Sequence, residues 1–152
     1  ATGLEHSEKG GPDYTPENHM AMNGKRHRKI EGALNDMPVP EEYFVEDNLD
    51  LGVISWGSTF GAALEAVQKA RSNGIKVGAL KIASIYPFHA DFIRAFMEKC
   101  GNILIPELNY EGQLANLIRH LYDKDVIKLN QTTGVPIYPV EIYKKINEIM
   151  SL

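Results

Sequence analysis

The feature that most constrains the fold is a repeated switch between strand-like and helix-like hydrophobic periodicity. Residues 103–106 form a continuous apolar run, typical of a strand buried on both faces. From Leu114 onward, apolar residues recur every three or four positions, as on one face of a helix. Four strand–helix pairs of this kind predict an α/β domain with a parallel sheet and helices on its faces. The predicted strands are residues 51–56, 75–82, 103–106 and 126–129.

The first third of the chain differs in composition from the rest. Residues 1–50 carry five Lys or Arg and eleven Asp or Glu, a net charge of −6, whereas residues 51–152 are net +2. Thr15 followed by Pro16 predicts the start of a helix over residues 16–30, but few aliphatic residues accompany it. We therefore predict an irregular arm over residues 1–48, linking to a missing upstream domain, and an α/β domain over residues 49–152.

Composition excludes several classes of protein. The net charge of −4 and the pI near 5.7 argue against a nucleic-acid-binding surface. The single cysteine, Cys100, rules out an internal disulfide and the four thiolates of an iron–sulfur cluster, and it favours a cytoplasmic setting. No run approaches 18 apolar residues, so we expect no membrane segment. The chain begins with Ala1 rather than Met, so we expect it to be part of something longer.

A polar turn separates the third strand from its helix. Asn109 lies where a helix N-cap is needed, because its side-chain oxygen can accept from amides two or three residues later. Glu107 lies just past the strand's carboxyl end, where ligands and partner loops gather in open α/β sheets. Two interpretations stay open, helix capping and recognition. The candidate interface or ligand turn consists of Glu107, Asn109, Gly112 and Gln113.

A second turn joins the first predicted strand to its helix. Gly57, Ser58 and Thr59 are predicted to cap this helix, and their amides could cradle a phosphate or a carboxylate. The turn matches neither the dinucleotide-binding fingerprint nor the lysine-bearing P-loop. Close packing of the helix on the strand is the alternative explanation for its glycines.

The arm contains the remaining candidates. His6 stands among glycines that permit tight turns, although an exposed loop histidine is the simpler reading. Residues 24–29 form a basic run, including Arg26 and Lys29, which could bind an anion or be a solvated helix face. The five histidines lack the spacing of zinc ligands, so no metal site is predicted. We find no nucleophile beside a base and predict no catalytic residue in this chain.

Six motifs occur in an order that resembles one family. They are residues 3–10, residues 25–29, residues 57–59 with Glu65 and Ala66, residues 86–88, residues 107–114, and residues 133–136 with Glu141 and Ile142. Together they resemble the carboxyl-terminal domain of the alpha subunit of 2-oxoacid:ferredoxin oxidoreductases, nearest to the 2-oxoglutarate type. Two positions depart from the family pattern: Leu108 stands where glutamine is common, and His89 where proline is frequent.

The resemblance implies a three-layer domain like the transketolase C-terminal domain. It implies a complete enzyme that oxidatively decarboxylates a 2-oxoacid to an acyl-CoA and reduces ferredoxin, using thiamine diphosphate, magnesium, an iron–sulfur cluster and coenzyme A. The implied partners are another domain of the same alpha subunit, a thiamine-binding beta subunit, further subunits and ferredoxin. The chain lacks the Gly-Asp-Gly diphosphate motif. We therefore expect it to serve assembly and interfaces, to bind no cofactor alone and to be inactive alone, with His6, Arg26 and Lys29 near the active site.

Two alternatives remain at this point. One is the equivalent domain of another thiamine-diphosphate enzyme, such as a 2-oxoacid dehydrogenase or transketolase. The other is a free-standing flavodoxin-like module that binds an anion at residues 57–59 or serves as an interaction module.

Overall fold

The computed structural model describes residues 4–151 in two compact units. One unit contains the described residues up to Pro38 together with Tyr86–Phe88. The other contains Val39–Ile85 and the described residues from His89 onward.

The first unit is built around helix α1, Pro16–Gly32, which continues into a short 3₁₀ helix, Ala33–Asn35. Helix α1 begins at the residues that the sequence predicts. The Thr15 hydroxyl accepts from the Asn18 amide at 3.4 Å, and Pro16 occupies the first turn. The helix predicted over residues 16–30 is therefore confirmed. None of the residues Pro16–Gly32 is buried, so this helix has no apolar core of its own.

The second unit is a five-stranded sheet with helices on both faces. Its strands are β1 (Glu41–Tyr43), β2 (Leu49–Trp56), β3 (Val77–Ile82), β4 (Cys100–Glu107) and β5 (Ile127–Asn130). Its helices are α2 (Thr59–Ser72), α3 (Ala90–Glu98), α4 (Gln113–Tyr122) and α5 (Pro139–Met150). The strand order is β1-β3-β2-β4-β5, and every pairing is parallel except that of β1 with β3. The predicted α/β fold is confirmed.

The core lies on the two faces of the sheet. Residues at alternate positions of β2, such as Leu51 and Val53, pack with the buried residues of α2 and α5. Helices α3 and α4 cover the opposite face, where the intervening residues of β2 and β4 lie. All four helices of this unit bury an apolar stripe, which explains their three-and-four residue spacing.

Three details differ from the sequence-based expectations. Strand β1 was not predicted, because three residues that include two glutamates carry no apolar alternation. The sequence predicts that the helix after residues 86–88 ends at Gly101, but α3 ends at Glu98, because Cys100 already pairs with Leu49 in the sheet. Leu121 fits the three-and-four spacing that begins at Leu114 and predicts an apolar face, but it is 45% exposed. No helix within residues 4–151 is long and apolar enough to cross a bilayer.

Candidate functional site

The turn between β4 and α4 is closed by a buried glutamate. Glu107 is the last residue of β4 and is 1% exposed. Its Oε1 accepts from the Leu114 amide at 2.9 Å, and its Oε2 accepts from the Ala115 amide at 3.1 Å. A helix leaves its first amides without backbone acceptors, so this side chain supplies what the start of α4 lacks.

Asn109 completes this arrangement. Its Oδ1 accepts from the Gly112 amide at 2.6 Å and from the Gln113 amide at 3.1 Å, while its Nδ2 donates to Glu107 Oε1 at 3.0 Å. The sequence placed Asn109 itself at the N-cap position. The helix begins four residues later, at Gln113, because Asn109 caps across a longer turn.

Gly112 fits the end of β5 closely. Its φ is +72°, and a Cβ there would lie 2.9 Å from Asn130 Oδ1. The Asn130 amide group also donates to the Tyr110 carbonyl at 3.0 Å. The side chains of Leu108 and Tyr110 remain outside this network, and these residues are 42% and 84% exposed. The side chains of Glu107 and Asn109 are thus used within the turn, whereas those of Leu108 and Tyr110 face outward.

The turn between β2 and α2 is organised differently. Gly57 has φ +58°, and Ser58 precedes the helix with φ −69° and ψ −20°. The predicted hydroxyl cap is wrong: the Ser58 side chain accepts no amide hydrogen bond from the described residues, because its backbone is helical and not extended. Ser55, near the end of β2, is 1% exposed, and its Oγ has no hydrogen-bond partner among residues 4–151.

A cation close to this turn is already paired. The Lys81 ammonium lies 2.7 Å from Glu41 Oε1 and 5.6 Å from the centre of the Phe60 ring. The hydrogen bond to Glu41 raises the pKa of Lys81, and the same bond lowers the pKa of the Glu41 carboxyl. Lys81 therefore adds little net positive charge at the start of α2.

In the first unit, the loop that carries His6 is held to α1. Glu5 forms an ion pair with Arg26, and its Oε2 lies 3.3 Å from His19 Nδ1. The hydrogen bond from Arg26 is the main cause of the lowered pKa of the Glu5 carboxyl. The Arg26 guanidinium is thus paired with Glu5 of the loop, whereas Lys29 lies exposed in the last turn of α1.

His6 itself has a defined orientation. Its Nδ1 lies 2.8 Å from the Ser7 carbonyl, which can only accept, so Nδ1 carries a proton. In the neutral ring Nε2 is then the free acceptor. The chain between Glu5 and Asp13 is closed by a bridge between His6 and Pro12, and Asn18 Nδ2 donates to the His6 carbonyl at 3.3 Å.

Two relevant residues escaped the sequence analysis. Glu5 adjoins His6 and has the charge opposite to the basic run that begins 20 residues later, so sign complementarity was an available signal. No sequence signal marked Ser55, because the sequence of an apolar strand does not show whether the hydroxyl of a serine within it has a hydrogen-bond acceptor.

The described residues do not fit the magnesium ion or the iron–sulfur cluster that the resemblance implies. Within residues 4–151, no three His, Cys, Asp or Glu side chains lie close enough together to hold a metal ion. Cys100 is buried, and desolvation raises the pKa of its thiol to about 11, which disfavours the thiolate that metals bind.

The sheet and its two helical layers define an α/β domain of the transketolase C-terminal type. A split-gene transketolase matches 74% of the chain with a TM-score of 0.60 and 15% identity, a likeness of fold alone. Residues 50–142 match the family described as pyruvate:ferredoxin oxidoreductase core domain II. The chain belongs to this family.

Several relatives are subunits of 2-oxoacid:ferredoxin oxidoreductases. The chain is 30% identical to subunit alpha of 2-oxoacid:ferredoxin oxidoreductase 2 from Aeropyrum pernix, over 98% of this chain and 24% of that protein. It is 33% identical to 2-oxoglutarate oxidoreductase subunit KorA from Mycobacterium tuberculosis, over 92% of this chain and 21% of that protein. The chain thus spans about a quarter of these relatives.

One solved structure matches almost the whole chain. This is 2-oxoglutarate:ferredoxin oxidoreductase from Magnetococcus marinus with 2-oxoglutarate, coenzyme A and succinyl-CoA bound. It matches 99% of this chain and 26% of that one, with 36% identity and a TM-score of 0.93. The predicted resemblance is confirmed.

Proposed function

We propose that this chain is part of the alpha subunit of an enzyme that oxidatively decarboxylates 2-oxoglutarate to an acyl-CoA and reduces ferredoxin. The observation that carries the proposal is the match to the Magnetococcus marinus enzyme, at 36% identity and a TM-score of 0.93 over 99% of this chain. Two KorA relatives from methanogens, each called a subunit of 2-oxoglutarate synthase, support the same substrate.

Within that enzyme, the chain serves assembly and interfaces, and one of its loops lies near the active site. Thiamine diphosphate, magnesium and the iron–sulfur cluster are held by other domains and by the beta and further subunits, and the whole enzyme works in the cytoplasm. The absence of a three-ligand group among residues 4–151 and the raised thiol pKa of Cys100 are consistent with this division.

The interface role rests on side chains exposed in each unit. In the α/β unit, Leu108 and Tyr110 project from a turn whose polar groups are already satisfied. In the first unit, Tyr14, just before α1, and Met20, within α1, are 67% and 74% exposed, and no residue of α1 is buried. Aromatic and methionine side chains of this kind are enriched at protein interfaces. The proposed partners are another domain of the same subunit and the thiamine-binding subunit.

The loop that carries His6 is the part of the chain proposed to approach the active site. Glu5 and Arg26 fix the loop on α1, and the Ser7 carbonyl fixes the ring tautomer, so Nε2 is presented as an acceptor. Lys29, about one turn beyond Arg26 on α1, is an exposed cation that is proposed to bind an anionic group.

The test uses the full-length alpha subunit assembled with its partners. Viologen reduction should depend on both 2-oxoglutarate and coenzyme A, and pyruvate should be a poorer substrate. His6→Ala should lower turnover, whereas His27→Ala, which changes an exposed histidine of α1 paired with Glu31, should not. Equal activity with pyruvate would refute the substrate assignment, and an unchanged His6→Ala enzyme would refute the loop assignment.

The interface proposal has its own test. Tyr110→Ala should weaken co-purification of the alpha subunit with its partners, because the ring is 84% exposed in this chain and would be buried in the assembly. Glu111→Ala, in the neighbouring exposed position, is the control. Identical assembly of the Tyr110 variant and the wild-type enzyme would contradict the proposal.

A further inference from the structure

The β2–α2 turn lies at a special position in the sheet. Strand β2 is flanked by β3 and by β4, and the connections that leave β2 and β4 pass through helices on opposite faces. Such a reversal of winding is a topological switch point, and in open α/β sheets ligands bind outside the carboxyl ends of the strands there. Residues 57–59 form the turn at this point.

Helix α2 begins there with no side-chain acceptor from its N-cap residue, Ser58. It is 14 residues long and has no acidic residue in its first turn. The Phe60 amide contacts the Gly57 carbonyl only at 3.4 Å. The positive end of the helix dipole is therefore not neutralised by the described residues.

Ser55 is a second and independent sign of a missing acceptor. It lies on the same face of β2 as Leu51 and Val53, which pack with α2, so its side chain is directed toward the start of that helix. Its Oγ is buried and has no partner among residues 4–151. A buried donor without an acceptor is destabilising, so an acceptor is expected when the protein functions.

The β4–α4 turn shows what such an acceptor does. Glu107 is the last residue of β4 that faces α4, and its carboxyl oxygens accept from two amides of the first turn. Ser55 is the last residue of β2 that faces α2, but its side chain is too short to reach helix amides in the same way. There is room for an external group, since a Cβ at Gly57 or at Gly61 would meet no described atom within 4 Å.

We propose that the β2–α2 turn binds a phosphate group, which takes at α2 the place that the Glu107 carboxylate takes at α4. The amides at the start of α2 donate to its oxygens, and the Ser55 hydroxyl donates from beneath. Because the turn covers the Ser55 Oγ, binding includes a shift of the turn at Gly57. This inference does not depend on the proposed enzymatic function.

The experiment compares two substitutions at one exposed position. Gly61 is the third residue of α2, where a glutamate side chain can bind the first amides as an internal competitor. Gly61→Glu should weaken binding of inorganic phosphate or pyrophosphate about tenfold relative to Gly61→Gln, which has the same shape without the charge. Calorimetric titration of the full-length assembled subunit measures the affinity of each variant. Because both variants are measured in the same assembly, other phosphate sites contribute equally to the two values.

Ser55→Ala provides the second readout. It should weaken phosphate binding about tenfold, because a hydrogen bond to an anion is lost. Ser72→Ala, at the other end of α2, is the matched control and should leave binding unchanged. ADP is titrated as well: stronger binding of ADP than of pyrophosphate identifies a nucleotide-borne phosphate, and the reverse identifies a free anion. The same affinity in Gly61→Glu and Gly61→Gln, for all three ligands, would overturn the proposal.

Discussion

Helices α2 and α4 begin at the same edge of one sheet, but they differ in the hydrogen-bond acceptors of their first amides. At α4, Glu107 and Asn109 accept from the amides of residues 112–115. At α2, the N-cap residue Ser58 supplies no side-chain acceptor, and the buried hydroxyl of Ser55 has no partner among residues 4–151. One helix start is thus completed by the protein, and the other is left for something else to complete.

The difference shows that similar sequence signals can serve opposite purposes. Both turns combine glycine with short polar residues, which is typical of helix caps and of anion sites alike. What separates them is one long carboxylate side chain at the end of the strand. A helix whose first amides have acceptors within the protein gains stability. A helix whose first amides lack such acceptors can still bind an anion.

The largest effect is expected at Glu107. Glu107→Ala would leave the Leu114 and Ala115 amides without acceptors in a buried setting, and we expect the free energy of unfolding to fall by about 3 kcal/mol. Urea denaturation measures the change, with Glu111→Ala as an exposed control. A loss no larger than that of the control would mean that this carboxylate does not complete α4.

Two left-handed glycines, one in each of these turns, give a matched pair. Gly112→Ala and Gly57→Ala both force alanine to a positive φ, at a cost of about 1 kcal/mol each. At Gly112 the new methyl would also meet Asn130 at 2.9 Å, so we expect about 2 kcal/mol in total there. Thermal unfolding should rank the variants in that order, and the reverse ranking would contradict the tight packing of the β4–α4 turn.

Ser55→Ala is expected to have the opposite sign. Without phosphate, removing a buried hydroxyl that has no partner should raise the free energy of unfolding by about 1 kcal/mol. Phosphate should then stabilise the wild-type protein more than the variant. Destabilisation of the phosphate-free variant would show that the hydroxyl does have a partner.

The smallest effect is expected for an exposed carboxylate. Arg26→Ala removes the main cause of the lowered pKa of Glu5, so this pKa should rise, as observed by NMR titration. A lowered carboxyl pKa contributes stability above the unfolded-state pKa, and that contribution is lost as the pH falls through the folded-state pKa. Added salt should weaken the effect. An unchanged Glu5 pKa would contradict the ion pair.

The sequence predicted most of the α/β unit because its signals are periodic. The alternation of apolar runs and three-and-four spacing located β2 to β5 and α2 to α5 within a few residues. Strand β1 was missed, since its pairing with β3 is decided by tertiary contact and not by its own pattern.

The candidate sites were predictable only in part. The polar residues of the β4–α4 turn were found, together with capping as one role for them, because Asn and Glu near a helix start have few other uses. The hydrogen-bond partners of Glu107 depend on the distance across the turn between its carboxyl group and the amides of α4. The spacing of residues in the sequence does not give this distance. The orphaned hydroxyl of Ser55 likewise appears only when every neighbouring acceptor is known.

Strand β1 has a practical consequence for expressing the α/β unit alone. Its three residues pair with Ala79, Leu80 and Lys81 of β3, and they place Glu41 and Glu42 along the outer edge of the sheet. Charged residues on an edge strand discourage pairing with other chains. A version that began at residue 49 would expose the backbone of β3 and should aggregate, whereas one that begins at Val39 keeps the edge covered.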